Sequence, residues 1–272
     1  MSRPRARSLE AAARRLWRRL PISVRRRAWH AWASRIAWPL PLWRVRGEAE
    51  IVLGGERLRF VGVTESRHYA FWARSAWRGT WEPAVVSFLA DELRPGDVVL
   101  DVGAFVGPYA MLAARRVGAA GHVHAFEPDS TARALLERNL ARNAIVNVSV
   151  HACAVSASAG TLRLEAEPGD SRTRTGAVGD VTVPAVTLDG FCAQRGIRPA
   201  VIKADIEGGE REAFTLGAAR ATMRDARAVV VEIHEDAGVR PDELATAFAT
   251  VGKRVMALGG KSGANYNVAF VA

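Results

Sequence analysis

The sequence predicts a doubly wound α/β domain built on a parallel sheet, and three observations lead there. Short apolar runs alternate with helix-patterned segments from Val98 to His151, and such alternation requires crossover helices between parallel strands. One run ends in an acid followed by two glycines four apart, "VVLDVGAFVG". Asp101, Gly103 and Gly107 thereby fall outside the carboxyl end of a strand, where sheets of this kind bind ligands. Two later apolar runs, "AVIKADIEGGE" and "AVVVEIHED", also end in acids.

Along the chain, the first segment stands apart by charge. Residues 1–46 carry 13 Arg against one acid, Glu10, so their local charge is 13 − 1 = +12, while the rest has 25 Lys+Arg against 27 acids, or −2. Residues 1–48 are therefore read as a basic helical arm. Leu9, Ala13, Leu16 and Leu20 recur at helical spacing beside Arg14, Arg15, Arg18 and Arg19; after Pro21, Val24, Ala28, Trp32 and Ile36 form a second stripe. With Trp17, Trp29, Trp32, Trp38 and Trp43, these amphipathic helices suit an anionic membrane surface. The alternative is that the stripes pack on the body or on another subunit. A near-neutral body offers no basic face for phosphate, and nucleic acid is not an expected partner.

Residues 49–80 are read as a β-hairpin and lead-in, and 81–272 as the main domain. "EIVLGGERLRFVGV" predicts two strands about Gly54-Gly55. "TESRHYAFW" is read as a loop that sets His68 and Tyr69 on the acceptor side. A helix is predicted from about Pro83 to near Arg94, where Pro95-Gly96 stops it. Next come a strand at 98–102, a helix at 108–116, a strand at 122–126, a helix at 130–143 and a strand at 146–151. The polar segment "EPGDSRTRTGAVGD", 167–180, reads as a mobile lid whose Ser171 and Arg172 touch substrate, or as a plain hairpin connection. Two cysteines, Cys153 and Cys192, provide neither a disulfide framework nor a zinc spacing. No run approaches the ~20 apolar residues of a membrane span. The expected location is cytoplasmic, with the arm at the inner membrane face.

The site residues carry a chemical argument. Gly103 and Gly107 are expected to let backbone approach a ligand without a Cβ in the way. Asp101 can accept from a cationic or hydroxylated group. Glu127, in "AFEPD" at the next strand tip, can take both hydroxyls of a ribose. A dinucleotide fold would want G-x-G-x-x-G with pyrophosphate on the helix N-terminus. The spacing "DVGAFVG" instead suits S-adenosylmethionine, which has no pyrophosphate.

Methyl transfer to a hydroxyl needs alignment and a base. Asp205 and Glu207 at alternate positions of one strand end, and Glu232 and His234 at another, are expected to point into one site. Asp205 or His234 is the expected base, with Glu207 orienting the acceptor. The reaction is read without a metal, the alternative being a divalent ion held by Asp205, Glu232 and His234. The scaffold alternative has Glu207 and Glu210 capping the next helix and Glu232 pairing with an arginine.

Taken together, "WEP" at 81–83, "PGDVVLDVGAFVG", "HAFEPD", "ACAVS", "VTLDGF", "IKADIEGGE" and "VVEIHE" resemble the FkbM-type S-adenosylmethionine-dependent methyltransferases. The resemblance runs from about Glu50 to Val271 and leaves out the arm. It implies a class I methyltransferase, Rossmann-like, with a seven-stranded sheet ending in an antiparallel hairpin. "GKRVMALGG" and "NYNVAFVA" accord with that hairpin. By the same resemblance Ala154 and Val155 cover adenine, or else merely end a core strand, and Glu82 is an acid near the cofactor, or else a first-turn helix residue. Members usually carry Asn where this chain has Phe105. The implied activity is O-methylation of a sugar, glycolipid or polyketide-like metabolite. Two other readings stay open: a non-catalytic S-adenosylmethionine-binding module at a membrane or in a complex, and an RNA methyltransferase.

Overall fold

The structure, a computed structural model, describes residues 47–165, 174–175, 181–260 and 265–272. The predicted arm helices, Ser171, Arg172 and most of the predicted lid lie outside the described residues. Glu48–Ala272 form one compact unit. It begins with a hairpin of β1 (Glu48–Leu53) and β2 (Glu56–Val61). Gly54 and Gly55, at φ 54° and 85°, supply the two left-handed positions that a tight two-residue turn demands.

The predicted loop at His68 and Tyr69 is instead a helix, α1 (Arg67–Trp77). Ser66 caps it by accepting the Tyr69 N–H at 3.0 Å, a helix-start signal that the sequence reading passed over. Tyr69 is fully buried, and its hydroxyl accepts from Asn139 Nδ2 at 3.0 Å. It is therefore a packing residue and does not line an acceptor site.

Helix α2 (Pro83–Glu92) leads into β3 (Val98–Val102), α3 (Pro108–Val117), β4 (His122–Phe126), α4 (Ser130–Arg142) and β5 (Val148–His151). Asp129 caps α4 through the Ala132 N–H at 2.6 Å. Next, β6 (Ala154–Val155), β7 (Gly160–Glu165), β8 (Arg174–Thr175) and β9 (Val181–Val186) build a separate four-stranded sheet in the order β6-β9-β7-β8. The chain then runs through α5 (Leu188–Arg195), β10 (Val201–Ala204), α6 (Glu210–Phe214), α7 (Arg220–Asp225), β11 (Ala228–His234), α8 (Pro241–Ala249), β12 (Arg254–Gly260) and β13 (Asn265–Val271).

The main sheet has seven strands in the order β12-β13-β11-β10-β3-β4-β5. Its five central and distal strands are parallel, and β13 and β12 close it as an antiparallel pair. The strand order turns around between β3 and β10, and this switch point opens a crevice at the carboxyl ends of both. Every residue of β10 and of β11 is buried, as expected of parallel strands covered on both faces. The core beside β11 includes a stack of Phe248 on Phe270, ring centroids 3.7 Å apart.

The hairpin is fastened to α4 by two asparagines one turn apart. Asn139 Oδ1 accepts the Val61 N–H and Asn143 Oδ1 the Arg59 N–H, each at 2.8 Å, while Asn143 Nδ2 donates to the Arg59 carbonyl at 2.6 Å. Asn139 Nδ2 also reaches the Val106 carbonyl at 2.9 Å, joining the hairpin to the loop after β3.

Candidate active site

The glycines after β3 are demanded by the packing of the protein itself. Gly103 and Gly107 have φ of 78° and 89°, a region that disfavours other residues. A Cβ on Gly103 would lie 1.8 Å from the Asp205 carbonyl oxygen, and one on Gly107 would lie 2.2 Å from Leu136 Cδ1. The space a side chain would need is thus filled by the protein itself. At Gly103 this bareness lets the loop after β10 close against the loop after β3. Phe105, also left-handed at φ 50°, presents its N–H to Glu127 Oε2 at 2.7 Å, and its ring meets Tyr69 edge-on.

A solvent-open cleft lies at the switch point, with Gly103, Glu127, Ala154, Val155, Asp205 and Glu207 among its walls. Glu127 Oε1 accepts the Asp129 N–H at 2.8 Å. Burial pushes the Glu127 carboxyl up to about 7, against the pull of the two backbone N–H groups. Asp101, Gly107 and Glu82 stand outside the cleft walls. Glu82 sits immediately before α2 and accepts the Tyr109 hydroxyl at 2.5 Å.

Next to the cleft is a buried polar cluster drawn from three strand ends. Lys203 on β10 pairs in register with Asp101 on β3. Its Nζ lies 3.3 Å from Asp205 Oδ2 and 4.8 Å from the centre of the Tyr109 ring. Burial works against the Lys203 charge, and Asp205, Asp101, Glu82 and Glu232 oppose that effect. Burial raises Asp101 to about 6, the Lys203 charge drawing it down and Asp205 pushing it up. Lys203 escaped the sequence reading, although a lysine inside the apolar run "AVIKAD", one of three in the chain, was a usable signal.

Asp205 and Glu207 do not continue the strand, as the sequence reading expected, because β10 stops at Ala204. They lie in a tight loop where Glu207 has φ 52° and Gly208 φ 108°. Glu210, fully buried, holds that loop by accepting the Ile206 N–H at 3.1 Å and the Gly208 N–H at 3.0 Å. On β11, Glu232 and His234 do share one face, as alternate strand residues must. His234 Nδ1 is 2.8 Å from Glu210 Oε1; its Nε2 faces Asp205 Oδ1 at 3.6 Å, Glu207 Oε2 at 3.5 Å and Glu232 Oε1 at 3.6 Å. Burial works to lower the imidazole, but the Glu210 hydrogen bond and the charges of Asp205, Glu210 and Glu207 outweigh it and raise it to about 9. The structure thus gathers Asp205, Glu207, Glu232 and His234 into one cluster and leaves His68 elsewhere.

With this strand order and a cleft at its turning point, the chain has the fold of a class I S-adenosylmethionine-dependent methyltransferase. Residues 101–255 match the family model described as the methyltransferase FkbM domain, and the chain belongs to that family. S-adenosylmethionine is the cofactor this membership implies. Among curated relatives, the chain is similar to the 31-O-demethyl-FK506 methyltransferase FkbM of Streptomyces tacrolimicus, 31% identical over 180 residues, covering 53% of this chain and 68% of that one. It is also similar to the hexuronic acid methyltransferase AglP of Haloferax volcanii, 28% identical over 166 residues, covering 60% of this chain and 66% of that one. Among solved structures, an S-adenosylmethionine-dependent O-methyltransferase from Thermotoga maritima aligns with TM-score 0.44 and 12% identity, over 70% of this chain and 64% of that one. No activity carries over from a likeness at that level. Among the described residues, no helix is long and apolar enough to cross a membrane.

Proposed function

We propose that this methyltransferase is O-directed, acting on a hydroxyl of a sugar, glycolipid or polyketide-like acceptor. The observation that carries the reading is a pair of carboxylates, Asp205 and Glu207, in the wall of the cleft that also holds Glu127. A hydroxyl is a poor nucleophile until its proton has somewhere to go, and a carboxylate within reach supplies that. Two relatives named for oxygen-bearing acceptors, a demethylated polyketide and a hexuronic acid, support the same direction.

The residues fit the cofactor. Each Glu127 oxygen accepts one backbone N–H and keeps a second lone pair for a ribose hydroxyl. Ala154 and Val155 give the cleft an apolar wall for adenine. Asp101 and Glu82 act from behind the wall, their charges favouring the cationic end of the ligand. Bound S-adenosylmethionine would supply an electrophilic methyl carbon, the C–S bonding pair staying with sulfur as the acceptor oxygen gained the methyl group. The acceptor proton passes to the Asp205–Glu207 pair. His234, 2% exposed and tied to Glu210, orients that pair.

The test is transfer of a tritiated methyl group to hexuronic acids and hydroxylated macrolides. An alkali-stable ether is the expected product, and Asp205→Asn is expected to lower kcat by about 10²–10⁴-fold with little change in S-adenosylhomocysteine affinity. Label on nitrogen or carbon, or no label from protein that binds S-adenosylhomocysteine, would sink the reading. For residues 1–46, with 13 Arg against one acid, the proposed partner is an anionic membrane surface. Flotation of the full chain with phosphatidylglycerol liposomes, lost in a chain starting at Arg46, is the expected outcome; equal flotation of both would remove this proposal.

A further inference from the structure

We propose that the cluster beside the cleft is a divalent-cation site of the Mg²⁺/Mn²⁺ class, formed by Asp205 Oδ1, Glu232 Oε1 and His234 Nε2. The role given to the ion rests on the O-methyl transfer reading above; its binding does not. Asp205, Glu232 and His234 each offer a ligand atom, all within 4.8 Å of one another. The His234 Nε2 distances of 3.6 Å to Asp205 and 3.6 Å to Glu232 are too long for hydrogen bonds. They lie close to the spacing of neighbouring ligands around an ion at ~2.1 Å, about 3.0 Å in an octahedron.

The surroundings are those of a metal ligand set. His234 Nδ1 sits 2.8 Å from the buried Glu210 carboxylate and donates to it, while Nε2 faces Asp205, Glu207 and Glu232 and offers its lone pair once the ion displaces the Nε2 proton. A carboxylate behind a ligating histidine is the usual way a protein fixes that tautomer. Lys203 engages one oxygen of Asp205, Oδ2, at 3.3 Å, while Oδ1 faces His234 Nε2.

A second, independent observation comes from β13. Asn267 stands directly opposite Glu232, and Asn265 opposite His234, across the antiparallel ladder, so all four residues share one face of the sheet. Asn267 is 3% exposed, and its Oδ1 is buried with no hydrogen-bond partner among the described residues; the same holds for Asn265 Oδ1. A buried amide oxygen left without a donor is costly, and a hard cation or its bound water satisfies it. The oxygen donors suit Mg²⁺ or Mn²⁺, and no thiolate is present to favour a softer ion.

Charge points the same way. Glu82, Asp101, Asp205, Glu207, Glu210 and Glu232 converge on two cationic groups, Lys203 and His234. With the ion in place the carboxylate pair divides its work. Asp205 becomes a ligand, the acceptor hydroxyl is acidified on the metal, and Glu207 takes its proton. The proposal thus takes up the divalent-ion alternative of the sequence analysis.

The experiment uses the full chain, stripped with EDTA and titrated with MnCl₂ in the absence of cofactor, followed by electron paramagnetic resonance. One site with half-saturation below about 1 mM, displaced by Mg²⁺, is expected. Glu232→Gln should weaken it at least tenfold, and Glu210→Gln by about 10–100-fold, with unchanged far-UV spectra. If those variants fail to fold, Mn²⁺ broadening of the His234 imidazole signals in the wild-type protein decides the matter. Absence of that broadening, no saturable Mn²⁺ binding by protein that binds S-adenosylhomocysteine, or binding indifferent to both substitutions overturns the site. Saturable Mn²⁺ binding without S-adenosylhomocysteine binding supports the ion site and overturns the methyl-transfer reading.

Discussion

Each oxygen of Glu127 already accepts one backbone N–H, from Phe105 at 2.7 Å and Asp129 at 2.8 Å, so the carboxylate is locked in orientation before any ligand arrives. In the proposed binding mode, ribose hydroxyls donate to the ionised form. Burial raises this carboxyl from 4.5 to about 7, so S-adenosylhomocysteine affinity should fall as pH drops from 8 to 6. Glu127→Gln should weaken binding about tenfold at pH 8, since a neutral acceptor replaces a charged one. It should also lose the upper part of the pH dependence, leaving the contribution of Asp101 near 6; calorimetric titration across pH reads both. Folding responds with the opposite sign. A group whose folded pKa is raised contributes stability below 4.5 that is lost as pH rises through 7. Glu127 was legible in the sequence because an acid after an apolar strand has one place to go. Gly103 and Gly107 were legible as positions that demand glycine, but their packing reason was not. Only the assembled fold brings the Asp205 carbonyl and Leu136 against them, over separations no local pattern encodes.

At the level of elements, α4 completes the outer edge of the hairpin with side chains where another strand would use backbone. Asn143 alone satisfies both the N–H and the C=O of Arg59, blunting an edge that would otherwise be open to pairing. Asn143→Ala orphans both groups, and a cost of about 2–3 kcal/mol is expected in urea unfolding. Arg142→Ala, which breaks an exposed pair with Glu48, should cost less than about 1 kcal/mol. The strands and helices of the main sheet were legible because their hydrophobic periods are long and clean. The sheet of β6 to β9 was not, since β6 and β8 are two residues each and too short to show a period. Helix α1 was hidden for another reason: its start is marked by the Ser66 cap alone, with no acid in the first turn.

For the molecule as a whole, the candidate site forms where β3, β10 and β11 end together, and Asp101, Lys203, Glu210 and His234 converge there from positions up to 133 residues apart in sequence order, 234 − 101 = 133. That convergence explains why the sequence supplied the residue types and the strand tips but not the loop geometry of Asp205 and Glu207. The same assembly links the cofactor loop to the far side of the unit. Asn139 accepts the Val61 N–H with one amide atom and donates to the Val106 carbonyl with the other. Any ligand that steadies the 103–107 loop therefore steadies an amide in β2 that it never touches. In deuterated buffer, the Val61 N–H should exchange more slowly once S-adenosylhomocysteine is bound, and Asn139→Ala should erase that slowing. The hairpin would then serve as a built-in clock for occupancy, readable by mass spectrometry before any acceptor is known.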